Sequence, residues 1–291
     1  VLAAAPATPG FWSWYFDPAA ALLLLTALLY WAGGRRTVTP TRLARAQRVR
    51  SAAFYISLAT LFIALDSPIE GYSKQLFWVH MIQHVLLMLV AAPLLVFSCP
   101  WIRLFRALPL SWRRRLARGL AQGERTAPLR ALGRWLGAPV TSLVLWSAVL
   151  LGWHIPVMFN ATLNSEWLHV LEHILFFTTS VLLFKQVIVS PPLRARLGDA
   201  QRVVYVIAAM TVSWILAVIL ALSPEPLYAH YAHLASRPGG ISALADQQLA
   251  AGVMWVPGSI TFVIIMIVYV HRWLAPPAPG HNRAPRLAGE H

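Results

Sequence analysis

The stretch QLFWVHMIQHVLLMLVAAPLLVFS, residues 75–98, decides the fold. A helix of about 20 apolar residues crosses the ~30 Å hydrocarbon core of a bilayer. This stretch meets that length, and its only titratable side chains are His80 and His84. Working outward, comparable segments run at 16–33, 51–69, 139–158, 167–189, 203–222 and 247–271, which makes seven spans. The composition agrees, because 58% of the 291 residues are hydrophobic and 12% charged, too little polar surface for a water-soluble domain of this size. The expected fold class is all-α, a polytopic membrane bundle of seven transmembrane helices.

The net charge of +14 would point to nucleic acid on a soluble protein. Here the basic residues fall in short loops, so topology accounts for them, the bilayer is the partner and no nucleic acid is expected. Lys and Arg number six in residues 33–50, nine in 99–138, four in 185–202 and three in the C-terminal tail. Those are 22 of 24, and the other two, Lys74 and Arg237, lie in the alternate loops. The positive-inside rule then places the N-terminus outside and the C-terminus in the cytoplasm of a multi-pass protein of the bacterial inner membrane.

The organisation read from this pattern is a periplasmic N-terminal segment over 1–15, a seven-helix domain over 16–272 and a cytoplasmic tail over 273–291. The chain begins with Val1, and the small residues at 3–10 fit the remnant of a removed signal sequence. The basic inner loop at about 100–136 mixes Arg with Trp, Leu and Phe. It reads as an interfacial amphipathic helix, with a partner-docking surface as the alternative.

Ionisable groups inside a membrane cost several kcal/mol unless they are paired or functional. Seven of the ten histidines nevertheless gather at the outer ends of the spans or in outer loops: His80, His84, His154, His169, His173, His230 and His233. In span three, His80, His84 and Met88 follow one another at four-residue intervals along one helical stripe. Span five carries His169 and His173, again four apart, with Glu172 beside them. Two histidines at i and i+4 can chelate a single ion.

The two segments match each other at an offset of 89 residues. Trp78-Val-His80-Met-Ile-Gln83-His84 answers Trp167-Leu-His169-Val-Leu-Glu172-His173. Upstream, Asp66-Ser67-Pro68 answers His154-Ile155-Pro156. Spans two-three and four-five therefore read as parallel repeats, which would set His80, His84 and Asp66 opposite His169, His173 and His154.

The metal ligands expected are thus His80, His84, His154, His169 and His173. Asp66, Met88, Glu172, Asp246, Gln247 and Met254 are candidates for ligation or for support behind the ligands, although methionine also fills helix interfaces. His230 and His233, in an outer loop, either capture metal or are simply solvated. Span seven, with Asp246, Gln247 and Met254 on an otherwise small-residue face, would close the site from a third direction. The single cysteine, Cys99, rules out a Cys-pair motif within one chain. Imidazole with thioether and without thiolate suits copper, and imidazole with carboxylate also suits zinc or iron. Two b-type haems would need axial histidines more than a turn apart on each helix, which four-residue spacing does not supply.

Four ordered motifs, HMIQH (80–84), GWHIPVMFNATL (152–163), LHVLEHILFF (168–177) and ADQQLAAGVMWVPG (245–258), resemble those of the cytochrome c oxidase assembly factor CtaG family, seven-helix membrane proteins. The resemblance covers about residues 15–272. It implies a role in maturing a haem-copper oxidase by supplying or inserting copper, with oxidase subunits as partners. By motif matching, the family's histidine positions fall on His80, His84, His154, His169 and His173, and its acid-amide motif on Asp246 and Gln247.

The expectation is a non-enzymatic, copper-binding metallochaperone. It would take copper, as Cu(I), from the periplasm or its copper chaperones and pass it to an oxidase subunit. Zinc is the lesser candidate ion. The rival readings are a seven-span zinc hydrolase, since His169-x-x-Glu172-His173 fits the HxxEH signature, and a copper permease. Against the first, Gln83 stands where the matching motif would carry its base; against the second, only Met266 and His271 lie on span seven below Met254.

Overall fold

The computed structural model describes residue 14 and residues 18–36, 40–192 and 196–275, and over these the chain is all-α. The segment read at 1–15, apart from Trp14, and the tail beyond residue 275 lie outside the described residues.

In chain order the helices are α1 (Pro18–Arg35), α2 (Ala44–Asp66), α3 (Pro68–Ser73) and α4 (Phe77–Ser98), then α5 (Trp101–Ala107), α6 (Leu110–Gln122) and α7 (Ala127–Leu136). They continue as α8 (Pro139–Trp153), α9 (Pro156–Asn164), α10 (Glu166–Val187), α11 (Asp199–Leu222), α12 (Ala229–Ala232) and α13 (Ala243–Leu274). Six of them, α1, α2, α4, α10, α11 and α13, are long and apolar enough to cross a membrane.

The fourth segment, read as one span over 139–158, is broken instead. Pro139 and Pro156 force the residues before them, Ala138 and Ile155, into extended backbone with ψ of 143° and 129°. Helix α8 therefore stops at Trp153, α9 restarts at Pro156, and Glu124–Leu136 meets Pro139–Trp153 at a bend of 75°. Counting that bent pair as one span gives up to seven.

Helix α4 is the axis of the bundle. It packs against α2, α10 and α13, while α8 packs on α10 and α11 runs along α13. Its middle widens into a π-helical turn at Leu86–Ala91, a feature that often accompanies functional sites. One core gathers Phe77, Trp146, Phe159, Phe176, Phe184 and Phe262 from these helices. A second, around Tyr30, Phe54, Leu58 and Leu61, ties α1 to α2. Leu22, Leu25, Leu28 and Trp31 of α1 and Val204, Ile215, Ile219 and Leu222 of α11 face outward instead, as hydrocarbon solvent allows.

The succession of long helix, short proline-started helix and long HxxxH helix occurs twice, as α2-α3-α4 and as α8-α9-α10. In the first copy Ser67 accepts a hydrogen bond from the Ile69 amide at 3.2 Å to cap α3. At the opposite end of the bundle α1 crosses α5 at Gly33. A Cβ there would stand 1.8 Å from the Arg103 carbonyl oxygen, so only glycine permits the approach. The basic segment 100–136 becomes α5, α6 and α7, short helices with Leu110, Trp112, Leu129 and Trp135 exposed.

Candidate metal centre

Because α4 and α10 are packed together and carry matching motifs, their histidines meet pair by pair. The rings of His80 and His169 are 5.3 Å apart and those of His84 and His173 5.6 Å. Along each helix the i, i+4 pairs also touch: His80 and His84 lie 4.3 Å apart between ring centres, His169 and His173 4.2 Å.

Within this stack, one ligand atom each from His80, His84, Glu172 and His173 lies within 4.8 Å of the others, and all four residues are buried. The Nε2 atoms of His80 and His84 are 2.9 Å apart, and Glu172 Oε2 lies 3.9 Å from both. The buried Nδ1 of His84, Nε2 of His173 and both Glu172 oxygens have no hydrogen-bond partner of good geometry among the described residues. A buried polar atom left so costs roughly 1–3 kcal/mol, and a cation held by this group would relieve those that ligate it. Three imidazoles and a carboxylate form a donor set that suits copper or zinc.

The surroundings orient these ligands. Tyr231 donates to the Ser73 carbonyl at 2.5 Å, which leaves its oxygen to accept from His80 Nδ1 at 3.3 Å. That arrangement leaves the lone pair on His80 Nε2, which lies 2.9 Å from His84 Nε2 and 3.9 Å from Glu172 Oε2, as outer partners of metal-bound histidines do. Tyr228 donates to the His154 carbonyl at 3.0 Å. Burial first, then nearby carboxylates, raises both phenols above their ordinary range, so each stays a donor. Phe77 and Phe159 pack against these two rings and complete an aromatic roof over the cluster.

The remaining residues read from the sequence are distributed around this core. His169 stands beside the group, with Nδ1 3.5 Å from Glu70 Oε1. Gln83, the counterpart of Glu172, uses its amide to donate to the Ala64 carbonyl at 2.8 Å and to Glu70 at 2.6 Å, so the two repeats differ where one holds packing and the other holds charge. Asp66 is fully buried at the end of α2, outside the four-residue group. Asp246 caps α4: its two oxygens accept from the Phe77 and Trp78 amides, each at 2.9 Å. Gln247 accepts from the Leu227 amide at 2.8 Å and donates to the Leu220 carbonyl at 3.0 Å, so α13 fastens the segment before α12 to the end of α11. Span seven thus braces the site through its acid-amide pair. His230 bonds to the Lys74 carbonyl at 3.0 Å, and His233 is exposed at the end of α12. His154, Met88 and Met254 line a small cavity that His84 also borders.

Sequence reading passed over Met81, Glu70, Tyr228 and Tyr231. The first had a signal, since Met81 and Met88 are seven residues, two turns, apart on one face of α4. The others come from loops or short helices, whose positions no helical period reports.

The fold and this cluster define a multi-pass helical membrane protein with a buried imidazole-carboxylate group suited to a transition metal. Among known proteins, the family described as cytochrome c oxidase caa3 assembly factor (Caa3_CtaG) matches residues 28–275. The chain belongs to that family. An uncharacterized protein of Mycobacterium bovis is 24% identical over 228 residues, and one of Mycobacterium leprae is 21% identical over 232. Each match takes in 77% of this chain and 34% of the relative, so this chain spans about a third of the length of those proteins. No solved structure matches.

Proposed function

We propose that this chain is a copper-handling factor for a haem-copper oxidase, holding the ion at His80, His84, Glu172 and His173 and releasing it to an oxidase subunit. The observation that carries the reading is the convergence of one ligand atom from each of these four buried side chains within 4.8 Å. Copper is preferred to zinc because the neighbouring donors are thioethers and the family serves a copper enzyme. Neutral imidazoles exchange ligands more readily than a thiolate cage, which suits a donor. His169, beside Glu70 at the outer end of the stack, is the next imidazole along a route from the periplasmic side, and copper arrives there free or on a periplasmic chaperone.

The proposal includes the sidedness read from the basic loops: bacterial inner membrane, N-terminus outside, C-terminus cytoplasmic, cluster in the outer half. Hydrolysis is disfavoured by position. In an HxxEH hydrolase both histidines bind zinc and the glutamate stands off as base, whereas here Glu172 is among the clustered donors and His169 is outside them.

The test is the copper content of the oxidase purified from a strain lacking this protein and complemented with wild type or with H80A/H173A. Wild type restores oxidase copper and the variant, at equal membrane abundance, does not; full restoration by the variant overturns the reading.

A further inference from the structure

Beside the imidazole-carboxylate cluster, and reaching one turn past His84 along α4, a cavity of about 20 Å³ is lined by Met81, Met88 and Met254 together with His84 and His154. The three methionines and His154 are buried, each at most 6% exposed. Three thioethers and an imidazole around one small void, drawn from α4, α13 and the end of α8, form a donor set distinct from the cluster above.

His154 decides how this group is to be read. Its Nδ1 lies 2.7 Å from the Leu150 carbonyl, which can only accept, so the ring proton sits on Nδ1. Nε2 of the neutral ring then carries a lone pair, and it faces the Met81 sulfur at 3.5 Å. A thioether has no proton to offer, so two lone-pair donors confront each other in a buried site. Bonds of about 2.0 Å to nitrogen and about 2.3 Å to sulfur, at a tetrahedral angle, hold such donors about 3.5 Å apart. The π-helical turn Leu86–Ala91 contains Met88, which lines the cavity together with Met81 and Val85 from the same helix.

We propose that Met81, Met88, Met254 and His154 form a second metal centre selective for a soft monovalent cation, Cu(I) or its analogue Ag(I), adjoining the first through the wall shared with His84. This rests on the copper reading above and deepens it: the outer centre is nitrogen- and oxygen-rich, the inner one sulfur-rich. Uncharged thioethers neutralise none of a divalent ion's charge in a dry site, so the inner centre rejects Zn(II). Both centres hold the ion in the same oxidation state, so movement between them is ligand exchange alone.

The experiment is Ag(I) titration of the purified full chain in detergent, with X-ray absorption at the silver edge, all in a Cys99→Ser background (called wild type below) that removes the free thiol. Wild type is expected to bind about two Ag(I), one with sulfur neighbours. The volume-conserving variant M81L/M88L/M254L retains about one and loses the sulfur signal, and H80A/H173A retains the sulfur-bound ion and loses the other. Absence of sulfur scattering in wild type, or Ag(I) binding by the Leu variant equal to wild type, overturns the inner centre and leaves the outer one standing. Undiminished binding by H80A/H173A would instead overturn the outer centre. The wild-type spectrum decides on sulfur even if a variant fails to fold.

Discussion

Glu172 and His173 sit within a stack in which neighbouring side chains look interchangeable in the sequence and are not. His169 and His173 are an equivalent pair by spacing, yet only His173 contributes to the four clustered donors, while His169 turns toward Glu70. His173→Ala is therefore expected to abolish high-affinity copper binding at the outer centre. His169→Ala should lower copper affinity by only about 10- to 100-fold, the range for groups that support ligands. Competition titration against a Cu(I) chelator separates the two, and equal losses would refute the distinction. Glu172→Gln preserves shape and removes the only carboxylate of the group, so it should fall with the His173 variant.

The long helices were legible as apolar runs of bilayer length, and most of their ends lay within four residues of the structural ones; α2 begins at Ala44, seven residues before the 51 read from hydropathy, because its first turns carry Arg45, Arg48 and Arg50. The fourth begins at Pro139, as read, but ends at Trp153 rather than 158 because hydropathy is blind to the backbone restriction ahead of Pro156. The repeat was legible as well, because HxxxH recurs at an offset that the two helix triplets preserve. The cross-braces were not, since Asp246 bonds to amides 169 and 168 residues away and nothing local encodes that partnership. Asp246 therefore acts on α4 as a cap supplied from another helix. Asp246→Ala should destabilise the protein by about 2 kcal/mol, visible as a lower thermal midpoint in detergent. Copper stoichiometry should hold below that midpoint, and loss of copper with unchanged stability would make Asp246 a ligand instead. At the other end of the bundle, Gly33→Leu meets the Arg103 carbonyl directly. It should detach α1 from α5, raising protease sensitivity there without changing metal content.

At the scale of the whole molecule, the sidedness rests on where the arginines fall. Arg36 reaches the carbonyls of Arg106 and Ala107 at 3.3 and 3.1 Å, so basic segments far apart in sequence are gathered at one end, away from the histidine stack. Cys99, at the end of α4 remote from His80, should react with a membrane-impermeant maleimide only after the cytoplasmic face is opened. In a Cys99→Ser background, His233→Cys should react in intact spheroplasts. The opposite pattern would invert the topology and turn the cluster toward the cytoplasm, contradicting a periplasmic copper source.

The copper-binding consequences depend on the outer cluster being a copper site, and the most direct measurement is copper-edge X-ray absorption of the purified full chain loaded with Cu(I). In the M81L/M88L/M254L background, which removes the inner centre, the account predicts a nitrogen-dominated shell with imidazole scattering that is lost when H80A/H173A is added. A spectrum unchanged by that substitution, or wild-type protein that takes up no copper, would contradict it.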